Sequence, residues 1–183
     1  MIFNQKSVLP VVNSMKDFEK LLRRPARWII VLDSHIAQVG EMVRMAKQNH
    51  KHIILHADMI HGLKNDEYAA EFICQNIRPN GIISTRFDIL EIAKKRGLVT
   101  IQRIFLLDSR SLETSFNLFE KVRPDLIEVL PGIIPDMIRE IHQAVRIPVI
   151  AGGLIRNQEE IKNAFAAGAT AISTSKKDLW TFG

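Results

Sequence analysis

Apolar and polar positions fall into a repeating two-part rhythm along this chain. A short run dense in Val, Ile and Leu is followed by a longer stretch in which apolar residues return every three or four positions. The runs are "SVLPVV" (7–12), "RWIIVLD" (27–33), "HIILHAD" (52–58), "GIISTR" (81–86), "VTIQRIFLL" (99–107), "DLIEVLPG" (125–132), "PVIAGG" (148–153) and "TAISTS" (170–175). Between them lie segments of helical spacing such as "MKDFEKLLRR" (15–24), "IAQVGEMVRMAKQN" (36–49) and "NQEEIKNAFAAG" (157–168). Short β-rich runs alternating with amphipathic helices are the signature of βα units on a parallel sheet. Pro79-Asn80-Gly81, Gly97 and Gly168 sit where a helix should end and the next strand begin.

Eight such units predict an α/β fold: a compact TIM-like (β/α)8 barrel with short loops, formed by residues 1–183 as a single domain. An open doubly wound sheet is the competing architecture. With 183 residues, each unit averages about 23, below the share in a typical barrel of ~250. The open sheet would require treating "SVLPVV" and two further apolar runs as loops. It would also need the Gly-rich phosphate turn after the first strand, which is missing.

Barrels commonly hold a phosphate with the loops after the seventh and eighth strands. Here those loops read "AGGLI" and "STSKKDLW". Gly152 and Gly153 let backbone approach an anion, and the amides and hydroxyls at Thr174 and Ser175 can donate to it. Alternation along the strands separates inward from outward positions. In "HIILHAD" the mixed set Ile54, His56 and Asp58 is expected inside. The same test places Asp33, Ser84, Arg86, Gln102 and Glu128 at or near the C-terminal mouth. Asp33, His56, Asp58, Gln102 and Glu128 are therefore candidates to hold the hydroxyls of a small phosphorylated polyol, or else to pair with one another as a buried polar layer.

"HADMIHGLKND" gathers His56, Asp58, His61 and Lys64, which invites a metal reading and superficially resembles the "HVDVMDG" strand end of pentose-phosphate epimerases. Those enzymes need a second acid at a later strand end, where this chain has Ala151. Schiff-base aldolase chemistry needs an inward lysine within a strand, and no run supplies one. The expectation is a site without metal or cofactor, with a phosphosugar epimerase or isomerase as the alternative function.

Composition adds three constraints. Hydrophobic residues at 46% and charged residues at 25% suit a soluble globular chain. No apolar run approaches the ~20 residues of a membrane span, and the opening residues do not read as a secretion signal, so a cytoplasmic location is expected. The one cysteine, Cys74, lies in "DEYAAEFICQNI" as a structural thiol. The net charge is +5, and basic residues cluster at helix ends rather than in one run: Arg23, Arg24 and Arg27; Lys47, Lys51 and His52; Lys94, Lys95 and Arg96; Lys121 and Arg123; Arg146. Cations suit helix C-termini for dipole reasons alone, yet in a barrel they also form a positive rim that a nucleic-acid backbone could use. The lone Tyr68 offers little for base stacking.

At the same residues the chain resembles the glycerol-3-phosphate responsive antiterminator family. The likeness runs through "LLRRPARWIIVLDSHI", "HADMIHGLKNDEYAAEFICQNIRPNGIISTR", "IQRIFLLDS", "IEVLPGIIP", "PVIAGGLIR" and "GATAISTSKKDLW". The resemblance implies a non-enzymatic regulator of glycerol uptake that binds glycerol 3-phosphate and then operon leader mRNA, preventing a terminator hairpin. Its effector would sit on Gly152, Gly153, Thr174 and Ser175 with the polar set above. For RNA, the candidate residues are Arg23, Arg24, Arg27, Lys94, Lys95 and Arg96. A second copy of the chain is a further candidate partner.

Overall fold

The computed structural model describes residues 2–3 and 6–181. Eight parallel strands close into a barrel. In circular order they are β1 (Ser7–Val12), β2 (Trp28–Val31), β4 (His52–His56), β6 (Gly81–Ser84), β7 (Val99–Phe105), β8 (Leu126–Leu130), β9 (Val149–Gly152) and β10 (Ala171–Thr174). Two further strands, β3 (Ser34–His35) and β5 (Ile60–His61), pair as a separate parallel ribbon that the apolar pattern does not announce. Among the described residues seven α-helices fill the connections: α1 (Met15–Leu22), α2 (Ile36–Gln48), α3 (Glu67–Phe72), α4 (Phe87–Lys95), α5 (Ser109–Val122), α6 (Pro135–Val145) and α7 (Gln158–Ala166). A π-helical turn, Ile73–Ile77, extends α3. The chain forms two compact units, Pro10–Ile101 and the residues from 102 onward together with the opening of β1.

Side-chain caps start the helices where the sequence provides them. Ser14, His35, Asp66 and Asn157 each accept a backbone N–H from the first turn of α1, α2, α3 and α7, satisfying donors that the helix itself cannot. Pro135 opens α6, where its missing N–H costs nothing.

Register defines the two faces of the sheet. In the Pro10–Ile101 unit, Trp28 pairs with His52, Ile30 with Ile54, Ile54 with Gly81, and His56 with Ile83. The opposite face carries Ile29, Val31, Ile53, Leu55 and Ile82, all buried. An apolar stretch of this kind is what the buried stripes of the helices require, namely Phe18, Leu21 and Leu22 of α1 and Val39, Met42, Val43 and Ala46 of α2. The mixed face with His56 is therefore the interior one. At its lower end the Trp28 and His52 rings lie 4.5 Å apart. Burial, and then the charge of Arg27, push the His52 imidazole pKa down.

Six helix-to-strand connections contain a left-handed residue. Two are Gly97 (φ 77°) and Gly168 (φ 106°). The other four are His50 (φ 56°), Arg78 (φ 55°), Arg123 (φ 47°) and Arg146 (φ 51°). Glycine is the usual residue at such helix ends, because a side chain in this conformation costs roughly 1–2 kcal/mol. A cation near a helix C-terminus recovers only ~0.3–1 kcal/mol through the macrodipole. These basic side chains thus stand where glycine would make a more stable chain.

Replacing Arg146 by Gly is expected to raise the unfolding free energy by about 1 kcal/mol, read from the denaturant midpoint; a lower midpoint would show that the side chain is needed structurally. Cys74 is buried, and burial followed by the Glu71 charge raises its pKa to about 11. At pH 8 only about one thiol in a thousand is ionised at that value. Cys74 should accordingly resist alkylation in the folded chain and react promptly in denaturant, as mass spectrometry would show.

Candidate functional site

Among residues 102–181 the polar centre is Glu128 of β8, 1% exposed. Arg103 of β7, 8% exposed, donates through Nε to Glu128 Oε2 at 2.7 Å. The Ser173 hydroxyl of β10 donates to Glu128 Oε1 at 2.6 Å. Strands β8 and β10 are separated by β9, so two such side chains meet only on the concave face, and only if β9 leaves a gap. Gly152 supplies it: a Cβ there would collide with the Ser173 hydroxyl and lie 3.0 Å from Glu128 Oε1. Each carboxylate oxygen retains a second acceptor site, so Glu128 can still receive a ligand hydroxyl.

This network corrects the placement of Gln102. Neighbours on a strand point to opposite faces, so Arg103 takes the interior and Gln102 the outer face. The Gln102 amide donates to the Arg103 carbonyl at 3.1 Å. The inward alternation assigned to β7 was one residue out of step, because a buried arginine looks like an outward residue until its carboxylate partner is known. Ser84 is displaced in the same way. It shares its face with Ile82, and its hydroxyl donates to Asp58 Oδ1.

The loops after β9 and β10 are tied together. Thr174, on the outer face, has its hydroxyl 3.5 Å from the Ile155 carbonyl, accepts the Lys176 N–H at 3.1 Å, and receives the Trp180 indole N–H on its carbonyl at 2.9 Å. It braces both loops, while Ser175, Lys176 and Lys177 are exposed beside it. Gly153 (φ 73°) makes the left-handed turn out of β9. The loop after β8 touches this turn backbone to backbone: Gly132 N–H donates to the Gly152 carbonyl at 2.5 Å, and a Cβ on Gly132 would lie 2.6 Å from Gly152 N.

In the Pro10–Ile101 unit the other candidates hold loops. Asp58 Oδ2 accepts the Thr85 N–H and hydroxyl, each at 2.7 Å. Asp33 pairs with His61 at 2.9 Å across the ribbon. His56 is buried on the interior face. Arg86 is exposed and pairs with Asp88 at 2.8 Å. Among the described residues no group of three or more His, Cys, Asp or Glu side chains is arranged to hold a metal ion, and no helix is long and apolar enough to cross a membrane. Of the basic candidates, Arg23, Arg24, Arg27, Lys94, Lys95 and Arg96 are all exposed. Lys95 pairs with Glu91 at 2.8 Å and Arg96 with Glu71 at 2.7 Å.

Sequence reasoning leaves Arg103 open between ligand, core and RNA roles and misses Ser173 and Gly132 as partners in this centre. The available signal was the polar pair "QR" inside an otherwise apolar strand, together with an acid two strands' length later in "IEVL". Removing one member of a buried pair leaves the other uncompensated, at a cost of about 3–5 kcal/mol. Arg103→Met should destabilise by that order, and Arg103→Met with Glu128→Leu by much less. Equal losses in a denaturant series would contradict the pairing.

The comparisons with known proteins agree with this architecture. The family model described as glycerol-3-phosphate responsive antiterminator matches residues 8–180. The structure of the glycerol uptake operon antiterminator regulatory protein of Listeria monocytogenes aligns with a TM-score of 0.96 at 42% identity, covering 100% of this chain and 99% of that one. A glycerol uptake operon antiterminator-related protein of Thermotoga maritima aligns at 0.84 with 28% identity, covering 97% and 99%. YgcP, an uncharacterized protein of Escherichia coli K12, is 33% identical over 175 residues, covering 94% of this chain and 92% of its own length. With a match that runs from β1 to the turn beyond β10, the chain belongs to the glycerol-3-phosphate responsive antiterminator family.

Proposed function

We propose that this protein is a transcription antiterminator that binds glycerol 3-phosphate and, in that state, the leader mRNA of a glycerol operon. The observation that carries the reading is the family match over residues 8–180. It spans every element that builds the Glu128 centre.

The chemistry of that centre suits the effector. A phosphate monoester fits at Gly152 and Gly153 and at the loop of Thr174 and Ser175, where Lys176 and Lys177 add positive charge. Thr174 contributes by fixing the loop, since its hydroxyl is already engaged. Glu128 has acceptor capacity for a hydroxyl, and Arg103 and Ser173 hold its carboxylate in one orientation. Preorganised hydrogen bonds of this kind favour a ligand whose hydroxyls match the fixed acceptor. Binding is the functional event, so no metal or cofactor is required and no bond is made or broken. The regulator acts where transcripts are made, in the cytoplasm.

The reading is tested by titrating leader RNA with protein at one stated salt concentration, with and without glycerol 3-phosphate, using glycerol and inorganic phosphate as controls. Tightening by glycerol 3-phosphate alone is expected. RNA affinity indifferent to it would overturn the reading. Glu128→Gln and Ser173→Ala should each weaken glycerol 3-phosphate binding by about tenfold, the scale of a hydrogen bond to a charged group, as calorimetry would measure.

A further inference from the structure

The Pro10–Ile101 unit carries a surface on which cations are displayed by a rigid backbone. Its helix-to-strand loops follow α1, α2, the π-helical turn and α4. Residues 23–27, 49–51, 78–80 and 96–98 in these loops contain no Asp or Glu. Arg23, Arg24, Arg27, His50 and Arg78 are exposed there. Hydrogen bonds stitch the loops to one another. His52 N–H donates to the Arg27 carbonyl at 2.8 Å, Asn80 N–H to the Ile53 carbonyl at 2.9 Å, and Val99 N–H to the Asn80 carbonyl at 3.0 Å. Lys47 Nζ donates to the Arg78 carbonyl at 2.7 Å, and Lys51 Nζ to the Arg24 carbonyl. The two lysines serve as braces between loops.

Favourable placement of cations at helix C-termini accounts for Arg23, Arg24 and Lys94 as readily as any partner does. It does not account for His50 and Arg78. Both occupy left-handed positions where the macrodipole returns less than the conformation costs, and where glycine serves at Gly97 in the same unit. Arg78 also donates Nε to the Gln75 carbonyl at 2.6 Å, a local cap that offers a purely structural explanation and therefore has to be tested directly.

We infer that this basic rim is the face that takes the RNA backbone, with Arg78 and His50 at left-handed helix ends in contact with phosphate. The inference rests on the antiterminator reading and adds the surface to it. The contact is with sugar-phosphate backbone rather than bases, because these loops present guanidinium and ammonium groups together with the small His50 imidazole, and no exposed Phe, Tyr or Trp side chain. Stacking would need such a side chain, whereas phosphate binding needs only fixed cations. A loop system stitched by backbone hydrogen bonds holds those cations in place before the RNA arrives, which lowers the ordering cost of binding.

The experiment measures leader-RNA affinity at saturating glycerol 3-phosphate across a salt series. It compares the unaltered chain with Arg78→Gly, with Arg23→Gln combined with Arg24→Gln, and with Lys16→Gln at the opposite end of α1. Thermal midpoints are recorded for each. Arg78→Gly is expected to reduce the slope of log affinity against log salt by about 0.7–0.9, the double variant by about twice that, and Lys16→Gln not at all. The midpoint of Arg78→Gly should stay level or rise. Unchanged slopes in Arg78→Gly and in the double variant, while the unaltered chain binds RNA, would overturn the inference and leave the antiterminator reading standing. If Arg78→Gly lowers the midpoint, its side chain is a structural cap, and the double variant alone decides the surface. An unaltered chain that binds no RNA removes both. Equal loss of binding to anionic vesicles would reassign the rim to a membrane surface.

Discussion

Glu128 is withdrawn from water and held from two sides, by Arg103 at one oxygen and Ser173 at the other. A buried ion pair of this kind is seldom the cheapest way to fill a barrel, since apolar side chains of the same volume often give equal or greater stability. Its effect is to fix geometry. Because Glu128 reaches across β9, the strand between it and Ser173 must present no side chain at that level, and Gly152 follows from that demand. Gly132 in turn meets the Gly152 backbone because it carries no side chain of its own: its Cβ would lie 2.6 Å from Gly152 N. Gly152 is thus a consequence of the buried carboxylate, and Gly132 of the backbone contact between the loops beside it.

The barrel itself was legible because its signal is redundant. Eight apolar runs, the seven segments between them and their glycine punctuation each point to the same architecture, and all eight runs contain a barrel strand. The short ribbon of Ser34–His35 with Ile60–His61 was not legible, since two-residue strands have no period to read. His56 and Glu128 fell on the predicted interior face, where alternation from their apolar neighbours is unambiguous. Gln102 did not. In "TIQRIF" two adjacent polar residues compete for one interior position, and only a partner from a strand distant in sequence decides between them. Gly152 raises a related difficulty: as a letter it suggests room for a ligand, and only the geometry adds that two side chains also pass over it.

The left-handed helix ends show a different limit. A sequence gives residue types, and arginine after a helix reads as ordinary dipole complementarity. Only the backbone angle reveals that Arg78, Arg123 and Arg146 occupy positions that favour glycine. Stability and surface charge pull in opposite directions at these residues, and that conflict becomes visible when conformation and identity are considered together. Asp58 and Asp33 illustrate the reverse case. Acids at strand ends suggest ligand contacts, yet the structure employs Asp58 to join the turn after β4 to the start of α4, and Asp33 to join the two halves of the ribbon.

The contact between Gly132 and Gly152 has a mechanical meaning. Two loops that meet through backbone atoms have no compliant side-chain layer between them, so displacement of one is passed to the other almost undamped. The turns after β8 and β9 are therefore expected to shift together or not at all. Variation in length or sequence is easier to absorb in the neighbouring loops, where side chains can slide past one another, than at this hinge of bare backbone.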